Sequence, residues 1–292
     1  MNEFLKISGL SKSFGRHPVF EDLNLRLSEG KVYGLLGLNG EGKTTLIRIL
    51  MGVIPACKGQ IHYKDSEVFF RSAAYKEDVG YIPEDPFLFG WMKVGDLIEF
   101  NAGFYQRWDS RRADELLKRF SLDRKTRVKT LSRGMKLRLS MAVALSARPS
   151  LLVLDDPTSG LDVPTRYDFL QGIIRELADS GTTVLFSTHL VHELERIVDH
   201  LFILHRGRII LDEEHQAVKD STRRVRLAFP GDAPHTLGVE GLLTESRDGQ
   251  RMEAVVYPWS EEKEKKIEGL SPLRMDVEPL TLEDIFRSFV AG

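Results

Sequence analysis

The stretch Gly37-Leu38-Asn39-Gly40-Glu41-Gly42-Lys43-Thr44-Thr45 constrains this chain more than any other. It lies between a short apolar run, Val32-Tyr33-Gly34-Leu35-Leu36, and Leu46-Ile47-Arg48-Ile49-Leu50-Met51, which reads as a helix. Strand, glycine loop and helix thus follow in the order a phosphate-binding P-loop requires. Glycine reaches backbone conformations closed to other residues, so successive N–H groups can turn inward around an anion. A helix that starts at Lys43 aims its unpaired N–H groups and positive dipole end at the same point. Lys43 adds a compact charge for β- and γ-phosphates, and the Thr44 hydroxyl can ligate Mg²⁺. A glycine-rich turn that matched by chance would have no reason to carry the strand and helix as well.

The rest of the chain arranges itself around that loop. Before it, Phe4-Leu5-Lys6-Ile7 and Phe20-Glu21-Asp22-Leu23-Asn24-Leu25-Arg26-Leu27 read as strands, the second with apolar residues on one face. With Gln60-Ile61-His62-Tyr63 they predict an antiparallel layer beside the P-loop core. Val79-Gly80-Tyr81-Ile82 predicts a core strand stopped by Pro83, and about 86–150 a helical insertion, with Leu97, Ile98, Phe100 and Phe104 and then Leu116, Leu117 and Phe120 at helical spacing. The continuous apolar run Leu151-Leu152-Val153-Leu154 suits a buried parallel strand. A helix over 167–177 and a strand over 182–186 continue the β-α-β alternation, and 201–211 reads as a closing hairpin. Beyond about residue 217 the periodicity restarts, with strands at 225–229 and 252–257, a charged helix at 260–270 and a terminal helix capped by Thr281. The expected fold class is α/β: a P-loop core with parallel sheet, antiparallel β layer and helical insertion over 1–217, plus a small α+β domain over 218–292.

A P-loop needs an acid to position its metal, and Asp155, ending its apolar strand, stands in the right setting; a helix cap or turn carboxylate is the blander reading. Asp156 follows as the natural candidate for polarising an attacking water. His189, in Ser187-Thr188-His189, could reach a γ-phosphate from the end of a further strand, although a histidine there is also a common structural or capping residue. His189 and His192 sit i, i+3, but with no third ligand at sensible spacing they predict no zinc site.

Bulk properties narrow the setting. The net charge of −2 gives no support to nucleic-acid binding driven by overall charge. No run reaches the roughly 18 apolar residues of a membrane span, and residues 1–10, with Glu3 and Lys6, lack the apolar core of a signal peptide. Cys57 is the single cysteine, which excludes an intrachain disulfide and suits a reducing cytosol. Any work at a membrane must then pass through a partner.

Taken together the motifs resemble those of the nucleotide-binding subunit of an ABC transporter. The P-loop at 37–45, a Q-loop-like Tyr81-Ile82-Pro83-Glu84, a signature-like Leu131-Ser132-Arg133-Gly134-Met135, the Walker B run at 151–156 and Ser159-Gly160-Leu161-Asp162 with His189 downstream agree in order and spacing over about residues 3–215. The tail, ending Leu282-Glu283-Asp284-Ile285-Phe286, is similar to that of subunits from bacterial exporters and permeases of the drug, antibiotic, bacteriocin or sodium type. The resemblance implies a P-loop NTPase fold, ATP and Mg²⁺ as ligands, and ATP hydrolysis as the activity. It implies that Phe14 stacks on adenine, where a core aromatic is the blander reading. Gly37, Leu38, Asn39, Gly40, Glu41, Gly42, Lys43, Thr44 and Thr45 would cradle the phosphates, with Lys43 also acting on the reacting phosphate. Thr44, Asp155 and Glu84 would surround the metal. Ser132 and Gly134 would bind the γ-phosphate held by the other subunit of a head-to-tail dimer, homo- or heterodimeric, and Asp162 would communicate across that interface. The insertion would dock on a membrane permease at the cytoplasmic face, with Glu84 at the hinge and no role for nucleic acid.

Three departures from the family pattern stand out. Glu84 replaces the usual glutamine, and Arg133 and Met135 replace the commoner glycine and glutamine of the signature. The third bears on rate: Asp156 stands where glutamate is usual, and the missing methylene draws the carboxylate back by about 1.3–1.5 Å. Slow hydrolysis and a long-lived ATP-bound dimer are therefore expected. A competing reading is an ATP-gated regulatory or binding module with little turnover. A soluble ABC protein of translation or DNA repair fits less well, because the chain has one cassette and no heptad run. The transported substrate and the direction of transport are not encoded in these motifs.

Overall fold

The computed structural model describes residues 4–64, 66–67, 72–178 and 181–291; Glu3 of the N-terminal reading lies outside them. The chain divides into two compact units, one of residues 1–189 and 204–209, the other of 190–203 and 210–292.

The first unit opens with a hairpin of β1 (Leu5–Phe14) and β2 (His17–Leu27). The predicted alternation is real: Leu5, Ile7, Leu10, Leu23, Leu25 and Leu27 are all buried. Strand β3 (Val32–Leu36) then runs into the glycine loop and α1 (Lys43–Leu50). Strands β4 (Lys58–Tyr63) and β5 (Ser66–Glu67) return to the hairpin, and the order β2-β1-β4-β5 is antiparallel at each pairing. Helix α2 (Ala73–Asp78), not foreseen, leads directly into β6 (Val79–Ile82). The insertion is helical as expected, with α3 (Val94–Ala102), α4 (Ser110–Arg119) and α5 (Arg133–Ser146). Strand β7 (Leu151–Asp155), α6 (Val163–Ala178) and β8 (Thr183–Thr188) complete the alternation.

Strands β3, β8, β7 and β6 lie side by side in one parallel sheet. Every residue of β7 and β8 is buried, as continuous apolar strands covered on both faces should be. The register pairs Leu36 with Thr188, Asp155 with Ser187 and Ile82 with Leu154, so the strands end together. All four segments read as functional therefore leave one edge of the sheet, where open α/β sheets place their ligands.

The second unit begins earlier than the boundary expected at 217. Helix α7 (Val191–Leu194) packs against the terminal helix, which draws residues 190–203 into this unit. The hairpin β9 (His200–His205) and β10 (Arg208–Glu214) is divided, its tip at 204–209 belonging to the first unit. Helix α8 (His215–Ser221) is followed by β11 (Arg223–Ala228), β12 (Leu242–Asp248), β13 (Arg251–Val256), α9 (Glu261–Glu268), β14 (Arg274–Pro279) and α10 (Leu282–Ala291). The sheet order is β12-β13-β11-β14, antiparallel throughout. Val225, Leu227, Met252, Ala254, Val256 and Ile267 form the core. The two central strands were legible because their buried face alternates. Helix α10 is capped as expected, with the Asp284 N–H donating to Thr281 Oγ1 at 3.2 Å.

One buried carboxylate ties the layers of the first unit together. Asp78 accepts from Tyr63 of β4 at 2.8 Å, from Lys64 at 2.6 Å, from Ser150 just before β7 at 2.8 Å, and from Arg107 of the insertion. Burial alone would raise its pKa, but these four donors outweigh it and hold the carboxyl well below the usual range. A depressed carboxylate contributes stability that is present above its unfolded pKa of about 4 and lost as pH falls toward the native value. Asp78→Asn should thus destabilise the chain by about 2–4 kcal/mol at neutral pH in urea unfolding. It should also flatten the loss of stability on acidification; a variant with the parent's acid limb would show that Asp78 is not its source.

Candidate active site

The glycine loop takes its shape from two constraints. Gly40 and Gly42 have φ of 86° and 102°, in the left-handed region that favours glycine. Close approach supplies the second: a Cβ on Gly42 would lie 2.7 Å from Val19 Cγ1 and 2.8 Å from the Phe20 ring, and one on Gly37 would lie 2.7 Å from the Leu204 carbonyl. The loop ends in α1, whose first residue is Lys43.

Lys43 is buried, and its Nζ donates to the carbonyls of Gly37 at 2.7 Å and Leu38 at 3.0 Å. Burial lowers its pKa, while the charges of Asp156, Asp155, Glu41 and Glu84 oppose that shift. Thr44 Oγ1 donates to Asp155 Oδ1 at 3.1 Å, and Ser187 Oγ donates to the same oxygen at 2.9 Å. Burial of Asp155 raises its pKa despite these two hydrogen bonds. Between the readings left open for Asp155, the geometry favours a carboxylate aimed at the loop, since it sits on the last residue of β7 and joins Thr44.

Asp156 adopts φ of 44°, an uncommon value for a residue with a side chain, and its N–H donates to the Ser187 carbonyl at 2.9 Å. Both carboxylate oxygens are engaged. Oδ1 accepts from Thr188 Oγ1 at 3.3 Å, and Oδ2 lies 2.6 Å from His189 Nδ1. Asn39, Gly40, Gly42, Lys43, Thr44, Thr45, Glu84, Asp155, Asp156, Ser159 and His189 line a single cavity of about 490 Å³.

Other expected residues stand elsewhere. Phe14 ends β1 half exposed, with Lys12 Nζ 5.0 Å from its ring centre, so it is a surface aromatic rather than a core one. Ser132 caps α5, accepting from the Met135 N–H at 3.2 Å, and neither it nor Gly134 lines the cavity. Gly134 has a packing reason of its own, since a Cβ there would lie 2.7 Å from Thr165 Cγ2. Asp162 is also outside the cavity; it accepts from the Thr165 N–H at 2.8 Å, which lowers its pKa. Arg133 is used within the unit, donating to the Glu84 carbonyl at 3.4 Å and lying against Gly160.

Sequence reasoning did not single out Ser159, Ser187 and Thr188 as site residues. Ser187 and Thr188 are the last two residues of β8, two residues beyond the end expected at 186, and they fasten Asp155 and Asp156 from the neighbouring strand. The signal was their position immediately before His189.

These features gather a glycine loop, a buried lysine and two carboxylates at one edge of a parallel sheet. The model of the ABC transporter family matches residues 20–159. The ABC transporter ATP-binding protein YdbJ of Bacillus subtilis is 32% identical over 97% of this chain and 94% of its own. The bacitracin transport ATP-binding protein BcrA of Bacillus licheniformis is 33% identical over 77% and 74% respectively. Among solved structures, an ATP-binding subunit of an ABC transporter superposes with a TM-score of 0.66 at 26% identity, over 74% of this chain and 92% of that one. The chain belongs to the family of ABC transporter ATP-binding subunits.

Proposed function

We propose that this chain binds and hydrolyses ATP as the energy-coupling subunit of an exporter-type ABC transporter, closing head-to-tail with a second subunit and driving a separate membrane permease. The observation that carries the reading is the convergence of the glycine loop, Lys43, Asp155, Asp156 and His189 on one cavity.

The residues present fit a magnesium nucleotide. At Gly37 and Gly42 a side chain would fill space taken by other atoms, which leaves the loop backbone to face an anion. Lys43 rests on two loop carbonyls, contacts that phosphate oxygens would replace with stronger ones. Thr44 and Asp155 present hard oxygen donors side by side, the set that suits Mg²⁺. With Glu84 beside them they would hold the ion, which supplies neutralisation of charge on the β- and γ-phosphates. Asp156 is the group to accept a proton from the attacking water, and His189 Nδ1 fixes its orientation, leaving Nε2 as the ring atom for the γ-phosphate.

The composite site is supported by the position of Ser132 and Gly134 outside the cavity, on the first turn of a 14-residue helix whose free N–H groups suit a phosphate from another chain. Docking on a permease is supported by an aromatic run on the insertion. Phe87, Trp91 and Phe104 are largely exposed; the Phe89 ring centre lies 5.6 Å from that of Phe87, 6.0 Å from Trp91 and 5.5 Å from Phe100, and Phe100 lies 5.1 Å from Phe104. Among the described residues no helix is long and apolar enough to cross a membrane. The Nod factor export ATP-binding protein I of Mesorhizobium japonicum, 33% identical over 96% of this chain and 84% of its own, supports the exporter type.

In solution, ATP should convert the Asp156→Asn variant from monomer to dimer, and Ser132→Arg should abolish that conversion. A dimer that forms equally well with Ser132→Arg would sink the head-to-tail arrangement. The competing reading, an ATP-gated regulatory module, draws on the engagement of both Asp156 oxygens; single-turnover kinetics with normal affinity and negligible turnover would favour it.

A further inference from the structure

The Glu41 side chain is a charged group of the glycine loop to which the chemistry above gives no part. It is largely covered, with 14% of the side chain exposed, and it is not among the residues that line the cavity described above. Its two oxygens meet the tip of the β9–β10 hairpin, more than 160 residues along the chain. Oε1 lies 2.9 Å from His205 Nδ1, whose side chain is only 12% exposed, and Oε2 accepts from the Arg206 backbone N–H. A carboxylate only accepts, so His205 Nδ1 carries the proton.

The surroundings explain why such a tie matters. Glu41 sits between Gly40 and Gly42, both at positive φ, so the loop has little intrinsic preference for the conformation it holds. The hairpin tip is a tight turn packed closely against β2. Arg206 and Gly207 both have positive φ, and a Cβ on Gly207 would lie 2.2 Å from the Val19 carbonyl. Val19 is also the residue against which Gly42 packs. The loop is thus held on one side by contact with β2, and on the other by Glu41 reaching to the hairpin.

We propose that Glu41 is a positioning residue, clamping the phosphate loop to the turn at Arg206-Gly207 and thereby setting nucleotide affinity. The inference rests on the nucleotide-binding reading above. Preorganisation is its physical content: an unclamped loop must be ordered when the phosphates arrive, and that ordering subtracts from the binding free energy.

The test uses the full-length chain and a fluorescent methylanthraniloyl-ATP with Mg²⁺, well below the unfolding midpoint of every variant. Glu41→Ala should weaken binding roughly tenfold, and His205→Ala by a smaller factor, since it removes one of the two ties. Glu41→Gln should restore affinity to within about threefold, because its carbonyl can accept from Arg206 while its amide donates to the other tautomer of His205. The ¹⁵N shifts of His205 should report the Nδ1–H tautomer in the parent and the exchanged one in Glu41→Gln. A role confined to stability would lower the unfolding midpoints and leave affinity alone. Unchanged affinity in Glu41→Ala, or a Gln variant as weak as Ala, would overturn the clamp while the nucleotide site stood. A parent chain that bound no analogue would overturn the nucleotide reading, and the clamp with it.

Discussion

Replacing Asp156 by asparagine should lower ATP turnover by on the order of 10²-fold or more, and replacing it by glutamate should raise turnover roughly tenfold. The first effect is the loss of the carboxylate proposed above to take the proton of an attacking water. An amide of the same size keeps one acceptor for Thr188 but cannot act as a base. The second effect comes from reach. Asp156 is held at the backbone by Ser187, with φ of 44°, and at the side chain by Thr188 and His189. A backbone shift that would carry the short carboxylate forward must break those bonds, so an added methylene is the cheaper route to the phosphate. Steady-state phosphate release by the three purified chains decides the matter. Equal rates would remove Asp156 from the chemistry, and a rate that fell with glutamate would show that the bonds to Thr188 and His189 are worth more than the reach.

Lys43→Met should abolish measurable nucleotide binding, a loss on the order of 10²-fold or more, without lowering the unfolding midpoint. The two halves of this expectation have one cause. The ammonium is buried, and burial is the leading influence on its pKa, pulling it down against four nearby carboxylates. A buried charge whose partners are two carbonyls contributes little to folding, and an apolar side chain of similar length is tolerated or stabilising at such positions. The same charge is what a triphosphate needs. Isothermal titration and thermal unfolding on one preparation test both halves. A large fall in midpoint would mean that Lys43 holds the loop together rather than awaiting a ligand.

Much of this was readable in the linear sequence because it depends on local pattern. The alternation of Leu23, Leu25 and Leu27 is a strand whatever lies around it, and the run at 151–154 suits only a strand covered on both faces. The loop at 37–45 declares itself through glycines that the conformation requires. What escaped reading depends on neighbours. Strands β12 and β14 are the outer members of their sheet, partly or wholly solvated, and such strands carry little alternation. Helix α2 has six residues, too few for a periodic signal. The boundary between units was expected where periodicity restarts, at 217, yet α7 packs with the terminal helix and moves the division upstream. Nothing in the composition of 190–203 foretells that packing.

The amino-acid sequence by itself determined the class of site, since a glycine loop, a lysine, strand-ending acids and a histidine in this order admit few alternatives to a bound nucleotide. Only the tertiary structure decided how those residues are held. It is the parallel register that sets Ser187 beside Asp155, and it is the Asp156 side chain, reaching β8, that joins Thr188 and His189. It is the packing of Val19, Gly42 and Gly207 that brings Glu41 to His205. The physical reason is one of range. Backbone propensity and side-chain periodicity act over a few residues and leave their mark in the order of amino acids, whereas hydrogen bonds between residues 32 or 164 positions apart exist only once the strands that carry them are paired.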